Sequence, residues 1–110
     1  MNIMEVDGYK AKIEYDPELE QFRGEVLGLN GSADFYGTNP AALKREFRKS
    51  LKIFLEVCEE NGITPKKEFS GKFNLRISPK LHSKIATVAA SEEKSINEWV
   101  SETLQSSIGP

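Results

Sequence analysis

The 110-residue sequence is short of the side chains that carry redox, metal and nucleophilic chemistry, with one cysteine, Cys58, and one histidine, His82. A single cysteine excludes an intrachain disulfide and fits a reducing compartment, so a cytoplasmic location is expected. Cys58 falls on the apolar face of a helical pattern with no base near it in sequence, and so reads as a small core residue rather than a reactive thiol. No apolar run approaches the roughly 18–20 residues that span a bilayer. The opening "MNIMEVDGYKAKIEYD" interleaves charged and apolar residues and lacks the hydrophobic region of a signal peptide. There is no glycine-rich phosphate loop ahead of a helix, and no serine or cysteine with a base at hand. These absences predict no catalytic residue, no metal, no cofactor and no membrane association. They point to a binding protein and not an enzyme.

What is present suits a folded globular chain: 38% hydrophobic and 29% charged residues, with six phenylalanines and one tryptophan. The formal net charge of −2 conceals an asymmetry. Residues 1–69 hold 13 acidic against 10 basic side chains, and residues 70–110 hold 4 against 5. Averaged over the chain this is not the basic signature of a nucleic-acid binder, so DNA binding would need charge focused on one segment or doubled by association.

In the first half, "GYKAKIEYD" sets Tyr9, Ala11, Ile13 and Tyr15 against charged neighbours, the period-2 pattern of a half-buried strand. "DPELEQ" breaks it, "FRGEVLGLNG" supplies a second strand, Asn30-Gly31 reads as a hairpin turn, and "SADFYG" supplies a third. "TNPAALKREFRKSLKIFLEVCEENG" then reads as a long helix, with Asn39 as N-cap, Pro40 at its first position and Gly62 ending it. Its stripe of Leu43, Phe47, Leu51, Phe54, Leu55 and Cys58 would cover the sheet, a βββα arrangement. The acidic Glu14, Asp16, Glu18, Glu20 and Glu25 read as a solvated surface rather than a metal site. Lys44, Arg45, Arg48, Lys49 and Lys52 read as a solvated helix face, with a nucleic-acid contact the less favoured reading.

The last third is organised differently. After the Pro- and Lys-bearing "ITPKKEFSG", the run "KFNLRI" alternates Phe73, Leu75 and Ile77 with Lys72, Asn74 and Arg76. Ser78-Pro79 starts a helix whose Leu81, Ile85, Val88 and Ala89 share a face. Ser95 and Glu98 form a capping box for another, lined by Ile96, Trp99, Val100, Thr103 and Leu104. His82 lies off the apolar stripe, at the surface or near a phosphate, with no partner for acid–base work. A lone strand and two short helices bury too little, and leave too many backbone groups unpaired, to stand alone. The segment is therefore expected to dimerise, pairing its strands antiparallel around a shared core of Phe73, Leu75, Ile77, Leu81, Ile85, Val88, Ile96, Trp99, Val100 and Leu104.

"KFNLRISPKL…KSINEWVSETL" resembles the ribbon-helix-helix repressors, the family of the Arc and MetJ type. That resemblance implies a paired-strand ribbon in the major groove whose outward side chains read bases. On this sequence these would be Lys72, Asn74 and Arg76. Their chemistry agrees, since Lys or Arg can contact guanine O6 and N7 and Asn can bond adenine bidentately. It also implies that Ser95, Ile96 and Asn97, at the start of the last helix, hold a DNA phosphate, where free N–H groups and the helix dipole favour an anion.

The wider pattern, from "GYKAKIEYDPELEQFRGEV" through "CEENG" to "FSGKFNLRISPKLH", is similar to the HicB family of antitoxins over almost the whole chain. That similarity implies a partial RNase-H-like N-terminal domain that masks a small mRNA-cleaving toxin, HicA, and a C-terminal domain that represses the shared operon. The expected chain is thus α+β, with a βββα toxin-binding domain at 1–62, a linker at 63–71 and a ribbon-helix-helix domain at 72–108. Its expected partners are double-stranded operator DNA, a HicA-like toxin and further copies of itself, as a dimer or a tetramer. Two rivals remain: a stand-alone ribbon-helix-helix regulator whose N-terminal domain senses a ligand or drives assembly, and a small hydrolase using the acidic N-terminal residues.

Overall fold

The computed structural model describes residues 2–110 and divides into two compact units, one running through Ser70 and the other from Gly71 to Pro110. The first holds strands β1 (Ile3–Val6), β2 (Tyr9–Asp16), β3 (Gln21–Val26) and β4 (Asp34–Gly37), then helix α1 (Pro40–Asn61). The second holds helices α2 (Pro79–Ser91) and α3 (Ile96–Ile108).

The sheet is an antiparallel meander in the order β1-β2-β3-β4. It has four strands where the alternation pattern predicts three. The added strand, β1, is only four residues long and pairs Val6 with Tyr9 across a two-residue turn. Asp7 and Gly8 both adopt positive φ there, 49° and 81°, as a tight turn matched to the strand twist requires. A four-residue strand offers too few alternations to declare itself; the Asp-Gly pair was its available signal.

A second difference lies between β3 and β4. Asn30-Gly31 does not form a two-residue hairpin; residues 27–33 make a longer connection. Asn30 instead clasps the stretch after α1. Its N–H donates to the Pro65 carbonyl at 2.9 Å. Its side-chain amide donates to the carbonyls of Thr64 at 2.7 Å and Lys66 at 3.3 Å. The Lys67 N–H donates to the Gly28 carbonyl at 2.8 Å, and Lys66 caps the Tyr9 ring at 4.7 Å. Part of the stretch read as a linker is therefore fastened to the first unit.

Helix α1 follows its sequence signals closely. The Asn39 side chain accepts from the Ala42 N–H at 2.8 Å, and Gly62 closes the other end at φ 65°. Leu43, Phe47, Leu51 and Cys58 are buried, with Phe54 and Leu55 partly so. Leu43, Phe47 and Leu51 share one core cluster with Val6, Ala11, Val26 and Phe35 of the sheet, and Phe54 and Leu55 pack against it. Phe47 is fully buried and stacks on Phe35 with ring centroids 4.7 Å apart. Across the sheet from Phe35 lies Gly24, where any Cβ would stand only 2.1 Å from that ring. Gly24 is the space into which the aromatic pair fits, so an alanine there forces the ring out of its stack. On the open face Arg23 donates to the Asp34 carboxylate at 2.6 Å, a charge-assisted bond between β3 and β4 that raises the Arg23 pKa above its ordinary value.

Candidate nucleic-acid interface

The second unit is built from two capped helices and one extended approach. Ser78 accepts from the Leu81 N–H at 3.1 Å, and Pro79 occupies the first helical position. Ser95 accepts from the Glu98 N–H at 3.0 Å and starts α3. The turn between the helices is held by a charged clasp that the sequence pattern does not announce. Lys94 bonds Glu102 and lies 3.7 Å from Glu92, whose other oxygen accepts from the Trp99 indole N–H at 2.8 Å. Glu92, Lys94 and Glu102 are ordinary surface residue types at no diagnostic spacing, so only the folded turn brings them together.

Residues 72–78 form neither helix nor strand in the single chain. Lys72, Asn74 and Arg76 are all exposed, and between them Phe73 is 76% and Leu75 63% exposed. Ile77 is half-buried. The alternation read from sequence is therefore retained as a solvated segment with an apolar side left bare. Strand geometry needs a neighbouring backbone to pair with, and residues 73–77 have no such bond to any of the described residues of the chain.

The remaining core candidates behave likewise. Leu81, Val88, Ile96 and Leu104 are 39–45% exposed, while Ile85, Trp99 and Val100 are half-buried. Ala89 is the only buried residue that α2 and α3 share between them. All ten side chains assigned to a shared core thus keep solvent exposure. The phosphate-site candidates Ser95, Ile96 and Asn97 sit together at the exposed N-terminus of α3, where the first-turn N–H groups lack intrahelical partners. His82 is exposed on α2.

In the first unit, Cys58 is buried and free. Among the described residues no group of three or more His, Cys, Asp or Glu side chains is placed to hold a metal ion, and no helix is long and apolar enough to cross a membrane. A shallow groove of about 480 Å³ lies between β4 and α1, lined by Ala33, Asp34, Ser50, Ile53, Phe54 and Val57.

The sequence model of the HicB family matches residues 54–104, from the C-terminal part of α1 through most of α3. The match supports kinship with that family and stops short of the sheet. No curated protein and no solved structure matches the chain.

Proposed function

We propose that this chain is an antitoxin of the HicB type. Its second unit pairs with another copy as a ribbon-helix-helix dimer that represses its own operon, and its first unit, a partial RNase-H-like domain, binds a HicA-like toxin. The observation that carries the DNA-binding half is the segment 72–78, which carries an apolar side, a hydrogen-bonding side and no secondary structure of its own. Two such segments paired antiparallel supply backbone partners to residues 73–77 of each. The dimer also buries the six most exposed core candidates of each copy, twelve side chains that are on average about half exposed and so each worth roughly half of the 1.5–3 kcal/mol of full burial. That gross gain is comparable with the roughly 4–15 kcal/mol that association costs, so the dimer forms only if most of this surface is covered. Pairing also doubles the Lys72, Asn74 and Arg76 reading set about a two-fold axis, which answers the objection raised by a net charge of −2.

Support for the toxin rests on the family match, and that match does not reach the sheet. A ribbon-helix-helix regulator whose first unit has another task is the second reading for that reason. One experiment addresses each half. Sedimentation of the purified chain should give a dimer or tetramer, and the same species should retard the DNA upstream of its own coding sequence; a monomer with no DNA affinity refutes the reading. Co-purification of a small basic ribonuclease encoded beside it supports the antitoxin over the regulator.

A further inference from the structure

Half of the ten cations in residues 1–69 fall within nine positions of α1: Lys44, Arg45, Arg48, Lys49 and Lys52. The structure changes how that cluster reads. All five are exposed, and among the described residues none is within ion-pair distance of a carboxylate. At about 100° per residue they occupy one continuous arc, roughly 140° wide and about 12 Å long. Within it Lys44 and Arg48, Arg45 and Lys49, and Arg48 and Lys52 are i,i+4 neighbours of like charge, an arrangement that opposes helix formation. The helix's acidic residues do little to relieve them. Glu46 alone falls in this stretch, about 60° outside the cationic arc. Glu56, Glu59 and Glu60 cluster at the C-terminal end, where the helix dipole disfavours negative charge. A face arranged only for solubility would intersperse the signs. This one segregates them at some cost to its own helix, which suits a polyanionic partner.

The chain itself limits where such a partner lies. The Lys67 N–H bond to Gly28 fastens the connecting stretch to the first unit, and the reading segment begins at Lys72. Even fully extended, the backbone between those residues spans at most about 18 Å. When residues 72–77 lie in a major groove, the first unit is held at high local concentration beside the same duplex. Apart from the α1 stripe that unit is strongly acidic, so only the stripe can face the duplex favourably.

We infer that the Lys44–Lys52 face of α1 is a second DNA contact, binding the phosphate backbone that flanks the operator bases read by the strand. This rests on the DNA-reading proposal above. The contact is electrostatic and carries no base preference, the cationic face of the helix lying along successive phosphates of one strand. It would let the first unit contribute to repression as well as to partner binding.

The test is a backbone footprint of the full chain on the duplex immediately upstream of its own coding sequence, with binding followed as salt is raised. The wild type should protect a central site and backbone positions on both sides of it. The variant R45Q/R48Q/K52Q should keep the central protection and lose the flanks. Its affinity should fall at least about tenfold at low salt, with a log–log salt slope shallower by about 0.9 for each phosphate it no longer neutralises. On a duplex trimmed to the central site the two proteins should bind alike. Because the contact needs charge and not a guanidinium fork, R45K/R48K should bind as the wild type does, and an unchanged melting transition of the first unit in R45Q/R48Q/K52Q shows that its loss of the flanks is not a folding defect. If R45Q/R48Q/K52Q matches the wild type in footprint and slope while R76A loses the central site, the stripe is a solvated face and the DNA-reading proposal stands. If R76A also binds like the wild type, that proposal fails and takes the stripe with it.

Discussion

The two units of this chain solve the same problem in opposite ways. The first encloses its own core: four strands and one helix bury Val6, Ala11, Val26, Phe35, Leu43, Phe47 and Leu51. The second has comparable apolar side chains but encloses almost nothing, with only Ala89 buried. The difference is not hydrophobicity but geometry. A sheet and a helix present two broad faces to each other, whereas α2 and α3 meet along one narrow line and leave Leu81, Val88, Ile96 and Leu104 facing outward. A stable fold and an unfinished one are thus joined by a short connector. The unfinished one is where a binding function is expected.

The sharpest way to break that contrast is to attack the closed core. Replacing Phe47 with Ala removes a fully buried ring and the stacking partner of Phe35. It should cost about 3–5 kcal/mol, enough to unfold the first unit at moderate temperature, and its melting should not depend on chain concentration. In the proposed dimer, replacing Trp99 with Ala opens a cavity in the core shared with another copy, so it should cost the second unit about 3 kcal/mol in a concentration-dependent way. Calorimetry over a roughly hundredfold range of chain concentration separates the two. If the Trp99→Ala protein keeps its oligomeric state and melts normally, the shared core lies elsewhere.

The contrast also explains what could be read in advance. Helix α1 was legible to within its caps, because Asn39, Pro40 and Gly62 act locally and the Leu43–Phe47–Leu51 stripe is periodic. β2, β3 and β4 were legible from alternation and β1 was not, being four residues long. The Asn30 clasp could not be seen, since it joins positions 34 and 36 residues apart that have no shared pattern. The segment 72–77 is the opposite case. Its alternation is plain in the sequence, yet the single chain shows no helix or strand there, and in the dimer proposed above the backbone it would pair with belongs to another molecule. Local chemistry predicts an element; completing it can require information no single chain holds.

Smaller effects sharpen the reading of that segment. Asn74→Ala or Arg76→Ala should each weaken operator binding by about 1–3 kcal/mol and relax preference at one base, without moving either melting transition. Unchanged affinity in both variants would remove base reading from this strand. Asn30→Ala deletes two side-chain bonds to the connector and should cost about 1 kcal/mol, felt locally. Trypsin should then cut after Lys66 or Lys67 faster than in the parent, and the Lys67 amide should exchange sooner. Equal cutting rates would mean that the backbone bonds from Asn30 and Lys67 hold the connector by themselves.

The weakest test probes the α2–α3 clasp through pH. Lys94 donates to Glu102 and lies near Glu92, and the hydrogen bond to Glu102 is the main cause of a pKa above the ordinary lysine value of 10.5. A raised pKa means that the fold favours the ammonium form. The contribution is therefore fully present below the pKa of the unfolded chain and fades only as pH climbs through the higher folded value. From about pH 6 to 9 this clasp should add nothing to the pH dependence of stability, with a decline on the alkaline side above about 10. Lys94→Met should remove that alkaline decline while leaving the oligomer intact. Its effect should be small, because the clasp is solvent-exposed and screened by salt. If the variant instead dissociated the second unit, the helix angle set at this turn would be a condition for pairing, and the open unit would be more finely shaped for its partner than its bare apolar faces suggest.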